Sequence, residues 1–127
     1  MNFEKVVFGF FVLLAASLNF GFFLGDIDNP AQHAPVELYA AVVVNLIATV
    51  LKFGDRTQLG AVHLATSLVA DLQLITACVI LVYAQGSAAG VTPEAMSSVV
   101  SLSGGALLAN LVAVVLLIVE TVSYRRR

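Results

Sequence analysis

The sequence predicts an all-α polytopic membrane protein, with four transmembrane helices in an antiparallel bundle and both termini in the cytoplasm. Three observations predict it. Of the 127 residues 60% are hydrophobic and only 11% charged, too little charge to cover a soluble domain of this size. The apolar residues gather into four runs, Val6 to Leu24, Val36 to Phe53, Leu59 to Tyr83 and Met96 to Val122, each close to or above the about 20 residues a spanning helix requires. The basic residues fall at one side of every run: Lys5 before the first, Lys52 and Arg56 between the second and third, and Arg125, Arg126 and Arg127 after the fourth. Lys and Arg resist translocation and collect in the cytoplasm, so an even number of spans with both ends inside satisfies all six.

The first run resembles a secretory signal in having Lys5 ahead of it and Ala15-Ala16-Ser17 within it, but its apolar stretch is too long for one, so the sequence predicts a retained span. Gly21 and Gly25 form a small-xxx-small pair at its far end, a spacing that lets another backbone approach. A polar loop from Asp26 to Pro35 follows. Asp26, Asp28 and Glu37 occupy positions 1, 3 and 12 of an EF-hand register, yet Pro30 takes a ligand position and Ala31 replaces the glycine the loop requires, which excludes that motif. These acids, with Glu94, are instead expected to line an acidic outer face that concentrates cations in an oligomer.

The second helix is expected to open with Pro35 in its first turn and to end at Lys52-Phe53, with Gly54 as C-cap and Asp55 or Thr57 capping the third helix. So short a turn makes the two antiparallel neighbours. Gln85 to Val91 is a loop rich in Gly, Ala and Ser, and Thr92-Pro93-Glu94 reads as the N-cap, first-turn proline and dipole-favoured acid of the fourth helix. That helix carries Ser97, Ser101, Gly105 and Ala109 at four-residue intervals, a stripe suited to close packing within the chain or against a second copy. The whole chain, 1–127, reads as one transmembrane domain, and no repeat relates its two helical hairpins.

Asp71 falls at the centre of the third run. An aspartate there costs about 2.5–3.5 kcal/mol to insert, so it is expected to face the bundle interior with partners. Asn45 and Asn110 lie at matching depth in the second and fourth runs. The two readings are a protonated Asp71 hydrogen-bonded to these amides as a packing device, and an Asp71 that exchanges a proton or contacts a cation. His63 and Ser67 lie eight and four residues before it, with Thr66 and Gln73 extending the polar face, a ridge suited to a proton relay or to interfacial hydrogen bonds. Cys78, the single cysteine, reads as a small core residue without redox role. Glu120 and Tyr124 read as interfacial.

No metal-ligand spacing, phosphate loop, catalytic cluster or potassium filter is present. No cofactor and no nucleic acid partner is expected. The run from Asn45 to Gln58, with Phe53-Gly54-Asp55-Arg56 at its turn, resembles a family of small uncharacterised bacterial inner-membrane proteins. The resemblance spans most of the chain and implies association with ion channels or other ion-transport proteins; it transfers no functional residue. The expected function is therefore a non-enzymatic oligomeric or accessory subunit of an ion channel or transporter complex, in contact with lipid and with itself or a larger transport protein. The alternative is a homo-oligomeric ion or proton conductor in which Asp71 titrates, assisted by Asn45, Asn110 and His63.

Overall fold

A computed structural model describes residues 3–55 and 57–125. Its elements are α1 (Phe3–Phe23), a 3-10 turn (Pro30–Gln32), α2 (Pro35–Lys52), α3 (Gln58–Gln85) and α4 (Pro93–Arg125). The fold is all-α among the described residues, and all four α-helices are long and apolar enough to cross a membrane. At 1.5 Å per residue the shortest, α2 with 18 residues, is about 27 Å long, close to a hydrocarbon core of about 30 Å.

Local chemistry sets the ends. Pro35 opens α2 at its first position, where a missing N–H costs nothing. Thr57 caps α3, its hydroxyl accepting from Gly60 N at 2.9 Å. Thr92 does the same for α4 through Ala95 N at 3.2 Å. Gly54, expected as the C-cap of α2, is displaced from that role by Phe53, which closes the helix in an ordinary αR conformation.

The helices pack as a closed ring, α1 on α2, α2 on α3, α3 on α4 and α4 back on α1. A row of buried positions stepping by three and four runs along every helix, with Thr49, Asp71, Val100 and Ala109 buried beside it. In α1 they are Phe8, Val12, Ala15, Asn19 and Phe22; in α2, Leu38, Ala41, Asn45, Ala48 and Lys52. In α3 they are Gly60, His63, Ser67, Ala70, Leu74, Ala77, Leu81 and Ala84; in α4, Met96, Val99, Ser103, Ala106, Asn110 and Ala113. This is the 3.5-residue repeat of left-handed coiled packing. Many seam residues are Gly, Ala or Ser, so backbones lie close, while large side chains such as Phe10, Phe20, Leu72, Val79, Leu108 and Ile118 point outward and are half exposed or more. An exterior this apolar around an interior that includes, among the described residues, ten buried polar or charged ones is unlike a water-soluble bundle.

The two sets of small residues expected to pack helices take these places. At Gly21 a Cβ would meet the Glu37 carboxylate at 2.2 Å, so the missing side chain makes room for Glu37 of α2. Gly25 lies beyond the end of α1 with φ +108°, against the Gln32 side chain, so it serves the loop. Within the chain, the Ser97, Ser101, Gly105, Ala109 stripe is not the seam of α4. Ser101 is exposed and only Ala109 is buried, because a strict four-residue interval drifts around a helix whose neighbours are met every 3.5 residues.

Candidate functional site

Polar side chains from all four helices meet in the interior, between an apolar cluster around Phe22, Leu38, Leu74, Leu81 and Met96 and a smaller one of Phe8, Val12, Ala48 and Ala113. Asn19, Asn45, Ser67, Ser103 and Asn110 lie on the three-four seam, and Thr49 and Asp71 are buried directly beside it. Asp71 on α3 accepts from Asn45 Nδ2 at 2.6 Å through Oδ1 and from Thr49 Oγ1 at 2.6 Å through Oδ2. Asn45 also donates to the Ser67 carbonyl at 3.2 Å, which joins α2 to α3. Asn110 on α4 donates to Asn45 Oδ1 at 2.9 Å, and Asn19 on α1 donates to Asn110 Oδ1 at 3.5 Å. Ser103 closes the series by donating to Asn19. The donors all run one way, from Ser103 through three amides to the Asp71 carboxyl.

The structure thus brings Asp71, Asn45, Asn110 and the Ser67 backbone together and leaves His63 out. Asn19, Thr49 and Ser103 belong to the series and were missed by sequence reasoning. The signal was available for Asn19, an amide in the middle of an apolar run. Thr66 bonds to its own helix at the His63 carbonyl, 2.8 Å, and Gln73 covers Gly105, where a Cβ would meet its Nε2 at 2.4 Å.

A second group of charges occupies the end of the bundle where α1 and α3 begin and α2 and α4 finish. Lys5 on α1 pairs with Glu120 on α4. Lys52 is buried, pairs with Asp55 at 3.2 Å and stands 4.3 Å above the Phe8 ring. Asp55 accepts from the Thr57 hydroxyl at 2.7 Å and the Thr57 backbone N–H at 2.9 Å. These bonds, the hydroxyl's first, favour the anion and with Lys52 hold its carboxyl down to about 2. Arg56, Arg126 and Arg127 lie outside the described residues. Between the start of α1 and the end of α2 is an open cavity of ≈ 790 Å³ lined by Lys5, Phe8, Leu51, Lys52 and Asp55 among others.

At the opposite end Asp26 and Asp28 are exposed, while Glu37 sits against Gly21. His33 is buried, its Nδ1 2.5 Å from the Phe22 carbonyl and its Nε2 2.7 Å from the Asp26 carbonyl. Each ring nitrogen thus stands within hydrogen-bond reach of a carbonyl, one before and one within the loop, so His33 clasps the end of α1 to the loop. Among the described residues no three His, Cys, Asp or Glu side chains are grouped to hold a metal.

The family that matches, over residues 32–121, is described as a family of unknown function (DUF6394); the chain belongs to that family. No curated protein and no solved structure matches it.

Proposed function

We propose that this member of the DUF6394 family is a multi-pass protein of the bacterial inner membrane, with both termini cytoplasmic, that acts as a non-catalytic oligomeric or accessory subunit of an ion channel or transporter complex. The observation that carries this reading is the closure of the interior. Asn19, Asn110 and Asn45 link all four helices through Asp71, whose two carboxyl oxygens already accept hydrogen bonds from within the chain. Side-chain amides hold their hydrogens rather than pass them on, so this series fastens the bundle. The surfaces left to meet other molecules are the apolar outer faces, including the side of α4 that carries Ser97 and Ser101. Small residues there permit close helix docking. Association with ion transport is supported by the resemblance of the Asn45 to Gln58 run and by an intramembrane carboxylate, a feature of ion pathways. The orientation is supported by Lys5 and Lys52 standing at one end of the bundle.

A second reading, a homo-oligomeric ion or proton conductor using Asp71, is favoured by His63. It lies on the same buried seam of α3 as Asp71, with neither ring nitrogen hydrogen-bonded. Purification in mild detergent, followed by mass determination and proteoliposome flux of wild type and Asp71→Asn, separates the two. A stoichiometric foreign transport subunit and no flux from the chain alone supports the first; a defined homo-oligomer whose flux disappears in Asp71→Asn supports the second and overturns the first.

A further inference from the structure

We infer that His63 and Glu120 form a proton-binding site at the Lys5 and Lys52 end of the bundle, separate from the Asp71 network. His63 is fully buried, and neither Nδ1 nor Nε2 has a hydrogen-bond partner among the described residues. Glu120 has its Oε1 in the same condition. The two unpartnered atoms face one another, Nε2 to Oε1 at 3.9 Å, about 1 Å beyond a hydrogen bond. Two buried polar groups of complementary kind, each left unsatisfied and aimed at the other, are costly unless something joins them. A neutral ring with its hydrogen on Nε2 already points an N–H at Oε1, and one added proton turns that contact into a charge-assisted one. Bound to the ring, it leaves an N–H directed at the carboxylate; bound to Glu120, it leaves an O–H directed at Nε2.

The surroundings give this pair a route and a charge balance. Lys5, on α1, is paired with the other oxygen of Glu120, and the side chains of Lys5 and Glu120 keep 40% and 19% of their exposure, so Glu120 joins the sealed imidazole to the solvent edge. A proton from hydronium adds to Glu120 and releases water; a ring carrying its own hydrogen on Nδ1 then takes it at Nε2, the Glu120 O–H breaking as the N–H forms, which leaves Glu120 a carboxylate between two cations. The remaining charged groups that face His63 are Lys52 on α2 and Asp55 in the following turn, which pair with each other and contribute no net charge. Phe8 of α1 packs edge-on to the ring at 5.2 Å and holds it in place. His63 precedes Asp71 by eight residues, about 12 Å along the helix, and Asp71 has both oxygens occupied. The inference therefore stands whether or not Asp71 conducts.

The test uses the full-length chain, labelled with ¹⁵N-histidine, in lipid nanodiscs from about pH 5 to about pH 8, the range in which imidazoles change charge. Imidazole ¹⁵N shifts report which nitrogens carry hydrogen, and His33→Gln identifies the signals of the other histidine. The expected result is a reversible change of His63 from one protonated nitrogen to two. Glu120→Gln moves its midpoint down by about one unit, a tenfold weaker proton affinity, and Asp71→Asn leaves it in place. A His63 ring unchanged over the whole range overturns the inference, as does an equal midpoint in Glu120→Gln. The wild-type titration decides alone if Glu120→Gln does not fold, and Glu120→Asp then serves as the second variant, with a midpoint equal to wild type counting against the pair.

Discussion

Asn110 on α4 donates a 2.9 Å hydrogen bond to Asn45 on α2, reaching between two helices that are not sequence neighbours and tying the bundle through its centre. Asn45 is the more heavily used of the two, since it also donates to Asp71 Oδ1 and to the Ser67 carbonyl. Asn45→Ala leaves an acceptor on Asp71 and a donor on Asn110 unpaired, at about 1–3 kcal/mol for each orphaned buried group, discounted because unfolded helices in lipid also find partners. The expected loss is roughly 2 kcal/mol for Asn45→Ala and roughly 1 kcal/mol for Asn110→Ala, read from denaturant unfolding in mixed micelles. The reverse order would show that the Asn110 bond, not the Asp71 bond, dominates the network.

Asp71→Asn is expected to fold as well as the native chain. Thr49 Oγ1 lies 2.9 Å from the Asn45 carbonyl as well as 2.6 Å from Asp71 Oδ2, so its hydroxyl can turn to that carbonyl and accept from the new amide while the amide oxygen keeps the bond from Asn45. The amide oxygen and one of its two N–H groups stay paired, and the about 2.5–3.5 kcal/mol of placing an aspartate at mid-helix gives way to the smaller cost of a neutral amide. Unfolding in the same micelles measures this, and a loss beyond about 1 kcal/mol contradicts it. Since the neutral isostere folds, any defect it shows in flux or assembly belongs to the carboxyl group itself.

Much of that network was legible in the sequence, and the rest was hidden for a physical reason. Asp71, Asn45 and Asn110 announce themselves because a polar side chain in an apolar run must find a partner, and equal depth says which. Asn19 carried the same signal, overshadowed by the glycines and aromatics around it. The seam was harder to see, since the outward faces are apolar as well and hydrophobicity loses its periodicity. It was written instead in small and polar residues, as in Gly60, His63, Ser67, Ala70 and Asp71 on α3. The His33 clasp depends on where the chain turns back after Phe22, which no local spacing encodes. Lys52 and Glu120 look like solvated end charges until the neighbouring helices close over them.

The turn between α2 and α3 should weaken in acid. The Asp55 carboxyl is held below its ordinary 3.8, at about 2, so the folded state binds that proton less tightly than the unfolded chain. The stabilisation is complete above the ordinary value and fades as pH falls toward about 2. Unfolding midpoints between about pH 5 and about pH 2 should fall in the native chain and lose most of that slope in Asp55→Asn. Gly60→Ala should reproduce the loss even at neutral pH, because its Cβ would stand 2.2 Å from Asp55 Cγ and expel the carboxylate.

Two glycines allow a direct contrast between strain and crowding. At Gly25, φ +108° is a conformation that side-chain-bearing residues rarely adopt, and a Cβ would also meet Gln32 Cβ at 2.9 Å; Gly25→Ala should cost about 1–3 kcal/mol. At Gly105 the backbone is helical and the obstacle is the amide end of Gln73, at 2.4 Å, a flexible group that can swing aside. There the gain of alanine over glycine in a helix, about 1 kcal/mol, offsets the displacement of Gln73, and Gly105→Ala should leave stability within about 1 kcal/mol of native. Thermal unfolding of the two variants in one detergent measures the difference, and it should expose the α1–α2 loop, where Gly25 precedes the Asp26 carbonyl held by His33, to proteolysis in Gly25→Ala alone.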